Sequence, residues 1–113
     1  MNRLDVLDQF KSLQEAIYEG VCSCDPHMVW QEDQWDRPGG GGGRSRAGVS
    51  GSIWEKGGVN FSDVHGILND ALRSQLKTDA STFQATGVSL VLHPKSPHVP
   101  IVHMNVRHFK LDN

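Results

Sequence analysis

Apolar residues recur at three- and four-residue steps along the start of the chain: Leu4, Leu7, Phe10, Leu13, Ile17 and Val21. Asp5, Asp8, Lys11 and Glu15 fall between them. This spacing predicts an amphipathic helix over roughly the first twenty residues, ending near Gly20. From Pro26 to Arg37, Trp30 and Trp35 stand among acids and glutamines, a pattern open to a strand or an ordered loop. Residues 44–49 and 53–56 flank a Ser50-Gly51 turn signal and predict a hairpin, and Val59, Phe61 and Asp63 extend a strand beyond Gly57-Gly58. Leu68, Ala71, Leu72, Gln75 and Leu76 predict a second helix, with Ser62 or Asp63 as its cap. Two strong strands close the pattern, 87–93 and 101–109, joined by a loop that holds Pro94, Pro97 and Pro100. Helices grouped against adjacent strands point to an α+β protein with an antiparallel sheet.

The last two strands carry the candidate chemistry. Side chains alternate faces along a strand, so Val88, Leu90 and Leu92 share one face while Ser89, Val91 and His93 share the other. In the second strand Val102, Met104 and Val106 oppose Ile101, His103, Asn105 and Arg107. A short connection makes the strands antiparallel neighbours. Setting 91 opposite 103, 89 opposite 105 and 87 opposite 107 makes the apolar faces coincide, whereas a one-residue slip mixes them. In that register Ser89, His93, His103, Asn105 and Arg107 form one patch. It combines imidazoles, a guanidinium suited to carboxylates and neutral hydrogen-bonding groups, a set that fits a polyanionic organic substrate undergoing proton transfer. An ordinary solvated sheet face is the plainer alternative.

Composition narrows the function classes. The 113 residues are 37% hydrophobic and 21% charged with a net charge of −2, which argues against bulk binding of nucleic acid. No apolar run approaches the roughly 18 residues of a transmembrane helix. Asp5, Asp8, Lys11 and Glu15 break any signal-peptide pattern, and such acids are rare in mitochondrial presequences, so a cytoplasmic protein is expected. Cys22 and Cys24 are too close to bridge usefully and read as free thiols in a reducing compartment. With His27 they lack a fourth metal ligand.

Gly39 to Gly43 is an unbroken glycine run followed by Arg44 and Arg46. It is open to two readings, a flexible linker or a loop whose backbone approaches a ligand closely. No Gly-Lys-Ser/Thr ending makes it a P-loop, and no strand–helix unit makes it a dinucleotide fingerprint.

Three blocks carry a resemblance: WDRPGGGGGRSR from Trp35 to Arg46, WEKGGVNFSDVHG from Trp54 to Gly66, and ATGVSLVLHPKSPHVPIVHMNVRHF from Ala85 to Phe109. In order and content they closely resemble aerobic, oxygen-dependent coproporphyrinogen III oxidases. The resemblance covers nearly the whole chain and is weakest over the first helix and residues 72–82. It implies a large, flat antiparallel sheet sandwiched by helices, residues 1–113 forming the N-terminal part of a single domain that continues in other members. It also implies a homodimer that converts two propionates of coproporphyrinogen III to vinyl groups with dioxygen, with no organic cofactor and no required metal. Carried onto matching positions, His103 is the proton donor and Ser89, Asn105, Val106 and Arg107 contact the substrate. Val106 points away from the patch, so its contact is expected through the backbone. Some bacterial members are described with a metal on positions like His93 and His103, but two ligands are fewer than a usual site needs. His65 is expected to be structural or cleft-lining, and His98 and His108 to lie on the surface. A sheet module that binds a tetrapyrrole or another anion without turnover is the competing reading. A cupin-type oxygenase is not supported, because its His-x-His and downstream Glu are missing.

Overall fold

A computed structural model describes residues 3–113; residues 1–2, where the expected first helix begins, lie outside the described residues. The elements run α1 (Arg3–Cys24), β1 (Val29–Asp36), β2 (Gly41–Val49), β3 (Trp54–Ile67), α2 (Asp70–Leu76), β4 (Thr82–Pro94) and β5 (Val102–Leu111). The five strands form one sheet in sequence order, every neighbouring pair antiparallel. The fold is α+β.

The α1 helix lies across one sheet face. Val6, Gln14 and Val21 are its buried residues, and Val21 joins Met28, Trp54 and Leu92 in the core, with Ile17, Trp30 and Leu90 packed around them. This packing corrects the expected helix end. Gly20 faces open space, so it neither packs nor caps, and the helix runs one turn further to bury Val21. Pro26, which cannot continue a helix, follows the Cys24 end. The stripe also shifts: Leu4 is 70% exposed while Val6 is buried.

The glycine run is not a flexible linker: it forms a tight turn and the start of β2. Arg37 to Gly40 make a tight turn, with Gly40 N–H donating to the Arg37 carbonyl at 3.0 Å and Arg37 N–H to the Gly41 carbonyl at 2.8 Å. Gly40 and Gly41 have φ of 124° and 91°, values costly for other residues. From Gly41 onward the glycines are part of β2, where a side chain on Gly41, Gly42 or Gly43 would collide with a carbonyl of a neighbouring strand. The close approach foreseen for this segment is real, but its partners are β1 and β3.

The expected hairpin and the strand beyond it merge into β2 and the 14-residue β3. This merger moves the second helix's cap. Ser62 and Asp63 sit inside β3, and Asn69 caps α2 instead, its side-chain oxygen accepting from the Leu72 N–H at 2.8 Å.

Candidate functional site

The β4–β5 register is the one expected from the apolar pattern: Val91 opposite His103, Ser89 opposite Asn105, Gly87 opposite Arg107. The ladder stops at Leu92 and Val102, so His93 and Ile101 are not paired. There the chain turns towards the β2–β3 connection, where Lys95 N–H donates to the Ile53 carbonyl at 2.9 Å.

Two sheet faces follow from this alternation. The α1 face carries Val59, Phe61 and Asp63 of β3 and Thr86, Val88, Leu90 and Leu92 of β4, of which all but Leu90 are buried. The apolar side of β5 belongs to this face, yet Val102 and Val106 remain 36% and 39% exposed, because α1 packs over β3 and β4. Val106 pairs with Val88, so its side chain is directed away from the opposite face.

On the opposite face the pairings run straight across all five strands and define three rows. One is Gln31, Ala47, Gly58, Val91 and His103; the next is Asp33, Ser45, Asn60, Ser89 and Asn105; the third is Trp35, Gly43, Ser62, Gly87 and Arg107. Neighbouring strands lie about 4.8 Å apart and alternate residues about 6.6 Å along a strand. From β2 to β5 the rows therefore pave a floor roughly 14 Å by 13 Å. Its middle is kept low by Ala47, Gly58, Gly43 and Gly87. At the β1 edge the Trp35 ring lies over Gly43, where any side chain would strike it, and its Nε1–H donates to Ser45 Oγ at 3.3 Å. At the β5 edge stand His103, Asn105 and Arg107, all exposed, with Ser89 half-buried beside them. At the α2 end a cavity of about 310 Å³ opens between the helix leucines, Leu72 and Leu76, and the sheet residues Ser62, Gly87, Arg107 and Phe109. Arg107 takes part in no ion pair among the described residues.

The structure thus brings Ser89, His103, Asn105 and Arg107 together and places the main chain of Val106 between them. It adds Asn60, Ser62, Ser45 and Trp35 to the same face. The sequence signal for Asn60 and Ser62 is the alternation of Gly58, Asn60 and Ser62 with Val59, Phe61 and Asp63. It becomes legible once β3 is recognised as one continuous strand.

The metal candidates fare differently. His93 and His103 are diagonal neighbours across β4 and β5, about 7–8 Å apart at the backbone. No group of three or more His, Cys, Asp or Glu residues able to hold an ion exists among the described residues. The pair therefore falls short of a complete coordination set. Cys22 is half-buried and Cys24 exposed, both as free thiols. His65 lies away from the patch, against Gly40, and accepts from Arg37 Nη1 through its carbonyl at 2.8 Å. His98 and His108 are exposed. Among the described residues, no helix is long and apolar enough to cross a membrane.

The comparison with known proteins gives this geometry its context. The profile of the family described as coproporphyrinogen III oxidase matches residues 5–113. The chain belongs to the coproporphyrinogen III oxidase family. It is 42% identical over 111 residues, 96% of its length, to an oxygen-dependent coproporphyrinogen-III oxidase of Prochlorococcus marinus strain SARG. To the proteins of the same description in strains NATL2A and NATL1A of that species it is 45% and 44% identical over 100 residues, 87% of its length. The chain spans about a third of the length of these relatives, 32% of the first and 29% of the other two.

Proposed function

We propose that the protein is an oxygen-dependent coproporphyrinogen III oxidase, which converts two propionates of coproporphyrinogen III to vinyl groups and so yields protoporphyrinogen IX for haem synthesis. The observation that carries this reading is the gathering of Ser89, His103, Asn105 and Arg107 on one open face of a sheet in a member of this family. In each cycle a propionate, one dioxygen and one proton give a vinyl group, carbon dioxide and hydrogen peroxide. The two electrons released when the propionate loses a hydrogen and its carboxylate pass to dioxygen, so no other oxidant is required.

Each residue has a chemical task in this reading. Arg107 offers a two-pronged guanidinium to a propionate that is bound but spared, because an ion pair stabilises the carboxylate against loss. Ser89 and Asn105 supply neutral hydrogen bonds, and Val106 contributes through its main chain. His103 is the proton donor, standing in the row next to Ser89 and Asn105. The working protein in this reading is a cytoplasmic homodimer that needs no organic cofactor and no metal. The test is to supply the full-length enzyme with coproporphyrinogen III in air and follow products by chromatography. Protoporphyrinogen IX with stoichiometric hydrogen peroxide is the expected result. Tight binding without conversion would instead make this face a passive tetrapyrrole-binding sheet.

A further inference from the structure

Coproporphyrinogen III is not charged all round its rim. Each of its pyrroles carries a methyl beside a propionate, so an edge that meets a guanidinium also presents an apolar group. We infer that the cavity between α2 and the sheet seats the methyl-bearing edge of the pyrrole whose propionate Arg107 holds, and that Leu72 and Leu76 select a methyl there over a carboxylate. This inference rests on the function proposed above and names a specificity element of the same site.

Arg107 and Phe109 belong to the same open face of β5, two residues apart and so roughly 6.6 Å along the strand. Opposite them on β4 stand Gly87 and Ala85, whose small side chains leave the floor low. The α2 leucines close the space from the other side, and the cavity between measures about 310 Å³. Cavities of about 150 Å³ lined by Leu, Ile and Phe take up benzene, so this one has room for the edge of a pyrrole. Its lining is apolar apart from Ser62 and Arg107 and includes no carboxylate among the described residues.

The α2 helix is pinned at its ends. Leu68, just before it, is buried and donates its N–H to the Ser81 carbonyl at 2.8 Å. Asn69 caps its start, and Lys77, with φ of 53°, caps its end. None of its own residues is buried, and Leu72 and Leu76 remain 39% and 44% exposed. With Phe109, also exposed, they converge on one gap beside a guanidinium that makes no ion pair among the described residues. An exposed apolar patch continuous with a candidate site is a surface for a ligand. A propionate with a methyl next to it matches this pairing of charge and apolar wall. A second carboxylate in place of the methyl would lose water there without gaining a partner.

The experiment titrates full-length enzyme under anaerobic conditions, where the substrate cannot turn over. The ligands are coproporphyrinogen III and uroporphyrinogen III, which carries an acetate wherever the former has a methyl. Leu72→Ala and Leu76→Ala should each raise the Kd for coproporphyrinogen III about tenfold, the lower end of what an apolar pocket gains from a fitted alkyl group, at an unchanged melting temperature. Leu72→Lys sets an ammonium in the cavity and should weaken coproporphyrinogen III while tightening uroporphyrinogen III. Leu76→Lys should do the same and stands in if the first variant disturbs α2. Wild-type affinity for coproporphyrinogen III in both alanine variants overturns the inference; if their melting temperature falls as well, protein rather than ligand fills the cavity. Lysine variants that shift both ligands alike also overturn it, since the leucines would then select nothing. Conversion of coproporphyrinogen III by the wild type in air is read separately, so the subsite and the oxidase reading can fail independently.

Discussion

The two faces of the sheet treat polar side chains in opposite ways. Under α1, Gln14 Nε2 donates to the carbonyls of Arg44 and Val59 at 2.7 and 3.0 Å, and its oxygen accepts from Arg44 Nε at 2.8 Å. Asp63 accepts from Arg3 Nη2 at 2.9 Å and from Thr86 Oγ1 at 2.8 Å. Arg46 ties Glu15 of α1 to Glu32 of β1 at 2.9 and 2.7 Å, with its guanidinium 4.4 Å from the Tyr18 ring centre. On the open face Asn60, Ser89, His103, Asn105 and Arg107 have no such partners among the described residues. A buried polar group is costly to leave unmatched, whereas a group open to water costs folding little and can exchange water for a ligand. Substitutions under α1 should therefore act on stability, and those on the open face on activity.

The sharpest way to break that division is His103→Ala in the full-length enzyme. Turnover should fall by ~10²–10⁴, the usual weight of a positioned acid–base group, while the melting temperature stays that of wild type. Near-normal activity would remove His103 from the chemistry. Arg107→Lys should do less. It keeps the charge but loses the planar two-pronged match to a carboxylate, and weakening on the order of tenfold to a hundredfold is expected for one charge-assisted hydrogen bond. The rate constant should fall with affinity, since a substrate held about 1 Å out of place can lose ~10²-fold. A monovinyl intermediate should accumulate if the two decarboxylations lose step. A raised KM at constant kcat would reduce Arg107 to a uniform binding contact.

Gln14→Leu probes the other side of the division. Leucine is close in size but leaves the Arg44 and Val59 carbonyls and the Arg44 guanidinium without their partner. Of the three contacts only the one to the Val59 carbonyl is fully buried, and an unsatisfied buried group costs about 1–3 kcal/mol, so a loss of that order is expected, read as a clear fall in melting temperature. Activity per folded molecule should be preserved below that temperature. A drop in kcat without a drop in stability would tie Gln14 to the chemistry and break the division between the faces.

How much of this was legible beforehand depended on whether a feature is local. The β4–β5 patch was readable because alternation over two long strands excludes a one-residue slip, which would mix the polar and apolar faces. Asn60 and Ser62 were missed because the Gly57-Gly58 pair reads as a break, although both glycines continue β3. Gly57 is small because Leu92 and Met28 pack over it, which is knowledge of packing that no local pattern contains. The Gly20 stop failed for a similar reason: Val21 finds Trp54 and Leu92 only in the folded core, and that contact outweighs a weak local preference. The glycine run suggested close approach correctly but left its partner open, since strand and ligand make the same demand on a side chain.

The smallest effect at neutral pH, and the finest test of the matched face, belongs to Asp25. It is 1% exposed and joins the end of α1 to the β2–β3 connection, accepting from the backbone N–H groups of Ser52 and Ile53 at 2.9 Å and Trp54 at 3.0 Å. Burial alone would push its carboxyl up, but hydrogen bonds from Trp54, Ser52, Ile53 and His27 outweigh it and hold the pKa at about 2. An unfolded aspartate titrates near 3.9, roughly. Since the folded value is the lower one, the stability it confers is complete above about pH 4 and drains away as pH falls from there towards 2. Melting temperature measured across that window should decline in the wild type. The Asp25→Asn variant takes up no proton at this position, so its curve should be lower at neutral pH and flatter across the same window. Parallel slopes in the two proteins would show that other carboxylates govern acid unfolding, and that Asp25 anchors the loop without acting as its acid-sensitive latch.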